Sequence, residues 1–419
     1  MDFSTLPREA FTLSNVTVLA PDGTLQQGAK LSVNGDTIAQ ASGGPALDMG
    51  GRMVLPAFVD MHTHLDKGHI WGRSPNPDGT FMGALSTVSE DRAARWSAED
   101  VRTRMAFALR CAYAHGTRAI RTHLDSIPPQ AEISFPVFRE LRADWAGKID
   151  LQAACLVGID HVNKDTYAAT AQLVADSGGV LGAVAYPVPD LAAKLDIIFK
   201  LADQHGLDVD FHADETEDPA SACLRAIAEA KLRHRFEGKV VVGHCCSLAQ
   251  QAEAEADETM DVVAKADLNI VSLPLCNLYL QDRHSPHTPR WRGVTLVHEM
   301  AARGINVSFA SDNTRDPFYA YGDLDMIEVM REATRIAHLD HVSHPWATAF
   351  AANPARACGF ATPSLAPGAP ADFILVNART LNELYARPQA DRIVVRAGQQ
   401  IDRTLPAYAE LDPLMEAHP

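Results

Sequence analysis

The chain has 419 residues, of which 47% are hydrophobic and 21% charged, and its formal net charge is −16. That is the composition of an ordinary globular protein with a large core, and no apolar run approaches the roughly 18 residues that a membrane span requires. The acidic balance excludes nucleic acid and anionic membranes as expected partners, because affinity for a polyanion comes chiefly from lysines and arginines facing phosphates; a small neutral or cationic ligand fits better.

The opening residues, MDFSTLPREAFTLSNV, carry acidic and polar groups where a secretory leader would place a basic stretch and then a long apolar one. Seven cysteines at irregular spacing, two of them the neighbouring Cys245 and Cys246, read as reduced thiols and not as a disulfide framework. Both observations set the expectation of a cytoplasmic protein.

Residues 1–53 alternate apolar and polar, with turn signals at PDGT and VNGD, which predicts short strands joined by hairpins. Eight β-rich runs follow: VLPAFVDMH (54–62), TRAIRTH (117–123), IDLQAACLV (149–157), VLGAVAY (180–186), LDVDFH (207–212), KVVVGH (239–244), LNIVSLP (268–274) and INVSFASD (305–312). Helical spacing fills the gaps between them. Ser97 to Asp100 has the pattern of a capping box for a helix ending near His115 and Gly116. Asp190 stands as cap of LAAKLDIIFKLADQHG, and Pro219 falls where the first turn of ASACLRAIAEAKLRH would begin. Strand and helix alternating in this way predict an α/β fold, a (β/α)8 TIM-type barrel over residues 54–366. From about residue 367, APADFILVNA and RIVVRAGQQI return to strand alternation, so 1–53 and 367–419 are expected to form one small β-sandwich domain.

A parallel barrel builds its active site at the C-terminal ends of its strands, and His62, His64, His123, His212, His244 and Asp312 all fall there. Residues i and i+2 of a strand share a face, so His62 and His64 present both imidazoles to one point. A lone histidine is more often a hydrogen-bonded core residue, but several at strand ends reverse those odds. Zinc and iron take nitrogen and oxygen donors and, in catalytic sites, keep one position open; the expected ligands are His62, His64, His212 and Asp312. Glu215, three residues past His212 in HADE, is placed for proton transfer, and His244 for orienting water or polarising a substrate. With Asp312 these two form the expected catalytic set. Asp210 shares parity with His212 and is expected to partner an imidazole, while His123, with Asp125, is expected just outside the ligands or against the substrate, a polar layer of the barrel being the plainer alternative. The fourth run ends AVAYPVPD, without a lysine to bridge two metals, which favours a single ion.

The motifs HTHLDK, RTHLD, DFHADE, VVVGHC, LPLCNLYLQDR, RGVTLVHEM and GINVSFASDNTRDPFY, in that order, resemble the amidohydrolase superfamily, and within it the cytosine deaminase-like group, over essentially the whole chain. The resemblance implies one divalent zinc or iron ion on His62, His64, His212 and Asp312, with Glu215 and His244 in proton and orientation work. It implies hydrolytic loss of an amine from an amidine-type ring carbon. Members of the family often assemble, so a homo-oligomer is allowed. The H-x-E with P-C-x-x-C signature of the other zinc deaminases is absent.

Two departures bear on substrate. Cytosine deaminases of this group usually carry a glutamine at the end of the third strand, where this chain reads CLVGID and brings Gly158 near the position. After the metal aspartate they typically have another aspartate, where this chain has Asn313, which both donates and accepts. Asn277, Gln281, Asn313 and Asp316 are the expected polar contacts, Trp71 and Phe318 the aromatic walls and Leu156 an apolar one. The expected activity is deamination of an aminopyrimidine of the cytosine, 5-methylcytosine or isocytosine type. SDNTRDPF also looks like the corresponding stretch in aminotriazine hydrolases, so the alternatives are an N-alkylammelide-type aminotriazine aminohydrolase, a cyclic amide hydrolase, and a metal-binding protein without turnover.

Overall fold

A computed structural model describes residues 5–20, 22–163, 165–388 and 391–416; Pro21 of the PDGT turn lies outside them. The N-terminal segment forms β1 (Ala10–Leu19), β2 (Leu25–Asn34), β3 (Thr37–Ala39), β4 (Ala46–Asp48) and β5 (Met53–Pro56). The VNGD signal is a two-residue hairpin: Asn34 pairs with Thr37 and Gly35 has φ +60°, the left-handed region that favours glycine.

The eight runs hold the parallel strands β6 (Phe58–Thr63), β7 (Thr117–Asp125), β8 (Asp150–Leu156), β9 (Leu181–Ala185), β10 (Val209–Ala213), β11 (Val240–His244), β12 (Asn269–Ser272) and β13 (Asn306–Phe309). The first run is in fact two strands. Pro56 has no N–H to continue a ladder, so β5 ends there and belongs to the terminal sheet, while β6 starts two residues on and pairs with β7. β6, β7 and β8 form one sheet and β9 to β13 another. Isolated bridges link their edges, Ala154 with Val180 and Gly158 with Val184 on one side and Thr63 with Asp312 on the other.

Helices fill the gaps: α1 (Phe81–Arg95) and α2 (Ala98–His115) between β6 and β7, then α3 (Gln130–Asp144), α4 (Thr166–Asp176), α5 (Leu191–His205), α6 (Cys223–His234) and α7 (Glu253–Lys265), one before each next strand. α8 (Pro274–Leu280) and α9 (Val297–Ala302) precede β13, and α10 (Met326–Ala337) follows it. No helix among the described residues is long and apolar enough to cross a membrane.

Ser97 caps α2 by accepting from the Asp100 N–H, and Gly116 closes it at φ +103°. The expected box is only half made, because the Asp100 carboxylate turns to Arg73 and Arg104. Asp190 precedes α5 but makes no side-chain cap. Pro219 lies before α6, which starts at Cys223; its first amides, Cys223 N–H and Leu224 N–H, donate to Asp214 at 2.9 and 2.8 Å.

The C-terminal strands β14 (Phe373–Val376), β15 (Arg392–Arg396) and β16 (Gln399–Gln400) join β1 to β5 in a single eight-stranded sheet, ordered β16-β15-β14-β5-β1-β2-β3 with β4 on β1. Its own apolar cluster includes Phe11, Leu13, Val33 and Phe373. The molecule is thus a mixed α/β fold, with parallel strands carrying the helices and both chain ends sharing one further sheet.

Between the parallel strands Arg121 is wholly buried, donating from Nη1 to Asp210 at 2.8 Å and from Nε to Gln152 at 2.7 Å. Removing one partner of a buried pair strands the other charge. Arg121→Met is therefore expected to destabilise the fold by about 3–5 kcal/mol, read as a lower denaturant midpoint at unchanged slope; an unchanged midpoint would refute it.

Candidate active site

The polar side chains gather where the parallel strands stop. His62 and His64 come from β6, His212 from β10, His244 from β11, and Asp312 from just past β13. His62 Nε2 lies 3.0 Å from His212 Nε2, which lies 3.3 Å from His64 Nε2. Asp312 Oδ1 is 3.2 Å from His64 Nε2 and 3.7 Å from His62 Nε2. The cluster is locked by the Asp312 N–H donating to the His62 carbonyl at 2.9 Å and Thr63 Oγ1 to the Asp312 carbonyl at 2.7 Å. A Cβ at Gly243 would stand 2.8 Å from His62 Cε1, so only glycine lets β11 pass this close. Asp312 and His244 sit at φ +62° and +70°, conformations that cost on the order of 1–3 kcal/mol each and that surrounding structure must enforce.

Burial holds the His62, His64 and His212 pKa values well below the ordinary range, reinforced by neighbouring groups: His123 for His62 and His212, Lys67 for His64. They are neutral, the form that binds a metal. Burial also raises Asp312 to about 7.

Glu215 is beside them. Its Oε1 accepts from Asn277 Nδ2 at 3.1 Å and is 3.3 Å from His244 Nδ1. Burial, then the Asp312 carboxylate, push its pKa well above the usual carboxylate range. Asn277 Nδ2 also reaches His244 Nδ1 at 3.0 Å, which leaves the hydrogen on His244 Nε2, an atom with no protein partner. Burial, then His123, take His244 down to about 3, so it stays neutral.

A cavity of about 970 Å³ opens onto this cluster. Of the residues expected from sequence, His64, His212, His244, Glu215, Asp312, Gln281, Asn313, Phe318 and Leu156 line it. His62 is buried behind them. The structure does not bring Asn277, Asp316 or Trp71 onto the wall. Asn277 braces Glu215 and His244 from behind; Asp316 is consumed by the Asn313 side chain and the Phe318 and Tyr319 amides; the Trp71 backbone N–H donates to the Arg315 carbonyl. Asp210 partners His123 at 3.2 Å and Arg121, not a ligand imidazole. His123 packs against His62 with ring centroids 4.0 Å apart. Sequence reasoning passed over Lys67 and Arg92, both on the wall. The lysine behind HTHLD was a readable signal, whereas nothing local marks Arg92, which reaches the cavity only because α1 folds over its mouth.

The donor set fits a divalent ion. Nε2 of His62, His64 and His212 converge with Asp312 Oδ1, and both Asp312 oxygens are buried without a hydrogen-bond donor among the described residues. Tetrahedral donors at 2.0–2.1 Å from zinc stand about 3.3 Å apart, close to the separations above. A His and Asp group of this kind, beside the Glu215, His244 and Asn277 cluster at one end of a parallel α/β fold, could hold a metal ion, the arrangement of a hydrolase site.

Comparison with known proteins agrees. A family model described as "Amidohydrolase family" matches residues 152–402. A pterin deaminase of Rhizobium rhizogenes is 56% identical over 374 residues, covering 88% of this chain and 85% of that protein. Among solved structures, 5-methylcytosine deaminase from Klebsiella pneumoniae liganded with phosphonocytosine has a TM-score of 0.79 at 25% identity, covering 93% of this chain and 97% of that one. N-isopropylammelide isopropylaminohydrolase from Burkholderia multivorans gives 0.75 at 25%, covering 94% and 98%. The chain belongs to the amidohydrolase family. It is a hydrolytic enzyme of the deaminase kind, acting on C–N bonds.

Proposed function

We propose that this enzyme removes the exocyclic amine from a fused amino-oxo pyrimidine ring of the pterin type and releases ammonia. The observation that carries the reading is the 56% identity to a pterin deaminase over 88% of the chain. The cavity supports it: 970 Å³ is near the upper end of the roughly 300–1,000 Å³ of small-molecule sites, room for two fused rings. Phe318 and Leu156 offer apolar surface to ring faces, and the polar edge falls to Gln281 and Asn313.

In this reading His62, His64, His212 and Asp312 hold one divalent ion, zinc or iron. Such an ion supplies Lewis acidity, making hydroxide available near neutral pH. Asp312 takes up the proton that water gives as it attacks the amine-bearing ring carbon. Glu215 passes its proton to the adjacent ring nitrogen, recovers one from the hydroxyl of the intermediate and gives it to the departing amine, and the water proton held by Asp312 then restores Glu215. His244 Nε2–H orients the attacking oxygen, and Asn277 fixes the His244 tautomer and the Glu215 carboxylate together. Ammonia leaves and a ring carbonyl remains. We infer with this a (β/α)8 barrel over 54–366 and a β-sandwich from 1–53 and 367–419; the bridges at both edges of the parallel sheets and the shared terminal sheet support it.

A second reading keeps a single ring, of the cytosine, 5-methylcytosine or isocytosine type or an N-alkylaminotriazine; the likeness to the two solved structures above favours it. A panel of pterin, these rings and cyclic amides, followed by ammonia release from zinc- and iron-loaded protein, separates the two. Pterin is expected to lead in kcat/KM by at least about 100-fold, because polar groups placed for one ring edge are left unpaired by another. A lead for a single-ring amine would establish the second reading, and ring opening without ammonia would refute both.

A further inference from the structure

Lys67 is almost fully buried, yet among the described residues its ammonium makes no hydrogen bond. The nearest carboxylate oxygen, Asp125 Oδ1, is 3.9 Å from Nζ, and the Phe318 ring centroid is 4.7 Å away. No carboxylate oxygen of any other acid among the described residues lies within 4.0 Å of Nζ, although Asp66 Oδ1 and both Asp312 oxygens also lack a donor. Asp125 Oδ2 accepts from Arg92 Nη1 at 2.6 Å, and Asp316 has the three donors described above. Asp66 Oδ2 accepts from the Asp125 N–H at 2.9 Å. Burial alone would lower the Lys67 pKa, but Asp125, Asp316, Asp66 and Asp312 more than offset it and hold the pKa above the ordinary value. A lysine kept only for structure would close onto Asp125 as Arg92 does. Instead a charged donor with three N–H bonds lines the cavity beside His64, Asn313 and Phe318, with no acceptor within hydrogen-bonding distance among the described residues.

A buried cation without acceptors is costly unless a ligand supplies them. We infer that Lys67 binds the ring carbonyl oxygen of the substrate, so that the enzyme selects rings carrying both an amine and an oxo group over rings carrying the amine alone. The inference deepens the pterin reading and rests on it for the identity of the ring. The ammonium sets the ring's orientation, amine toward the His and Asp cluster and oxygen toward β6, and stabilises negative charge reaching that oxygen during attack. Phe318 forms the wall beside it.

The test compares pterin with 2-aminopteridine, which keeps the amine and lacks the ring oxygen, on zinc-loaded wild type, Lys67→Met and Lys67→Gln. A hydrogen bond to a charged group gives wild type a preference for pterin on the order of 10- to 100-fold in kcat/KM. That ratio should collapse toward unity in Lys67→Met. Lys67→Gln keeps an N–H donor without the charge and covers the case in which the Met variant does not fold; its ratio should fall between the two. A second arm needs no turnover: lumazine, the dioxo ring, should bind on the order of 10- to 100-fold more weakly to each variant by calorimetry. Variants with full zinc content that keep the wild-type preference, or that lose both substrates in equal proportion, overturn the inference. If wild type releases no ammonia from either ring the pterin reading falls, and the lumazine arm alone decides Lys67: unchanged binding, or none to wild type, overturns it.

Discussion

Glu215→Gln is expected to lower kcat by about 10²- to 10⁴-fold, the range of general acid–base catalysis, with metal content and melting temperature held at wild-type values. Glutamine keeps the length of the side chain and an Oε1 able to accept from Asn277 Nδ2, now at 3.1 Å. What it loses is the transferable proton. Residual binding should survive, because Gln281 Nε2 donates to the Glu215 backbone carbonyl at 3.3 Å and not to its carboxylate; KM should therefore change less than kcat. A variant retaining more than about a tenth of wild-type kcat would remove Glu215 from the chemistry.

The larger effect is expected from His212→Ala. His212 Nε2 stands within 3.3 Å of both His62 Nε2 and His64 Nε2, so its loss opens one side of the donor cluster. Even residues that only support a ligand change metal affinity by about 10–100-fold, and loss of a ligand itself should reach at least the upper end. The purified variant should hold a small fraction of the wild-type metal, show no ammonia release above background, and melt lower than metal-loaded wild type, because an ion that binds only the folded state stabilises it. Chelator-treated wild type should reproduce the lower melting point and recover on adding metal. Full metal occupancy in the variant would place the ion elsewhere.

Much of this was legible in the sequence. Each of the eight runs contains a parallel strand, and the residues that end them, His62, His212 and His244, converge as strand parity predicts. The misses have physical causes. The run at 54–62 reads as one strand because periodicity cannot see Pro56 transferring a ladder to β14. Pro219 looked like a helix start, but the Asp214 carboxylate, five residues upstream, captured the free amides and moved the start to Cys223. Asn277 was expected to read substrate; its place on α8 behind Glu215 and His244 depends on how two strands pack, which no local pattern encodes. Trp71 and Asp316 were expected in the cavity for their chemistry, yet loop geometry turned Asp316 onto its own backbone neighbours and left Trp71 off the wall. The cavity face of α1, with Phe81, Leu85, Val88 and Arg92, has helical spacing that reads as ordinary core packing until the helix is seen beside the mouth.

The most direct test is mass analysis of pterin after incubation with the metal-loaded protein. The account predicts an intact ring with oxygen in place of the amine and one equivalent of ammonia. A ring-opened product, or unchanged pterin while a single-ring amine is consumed, would contradict it.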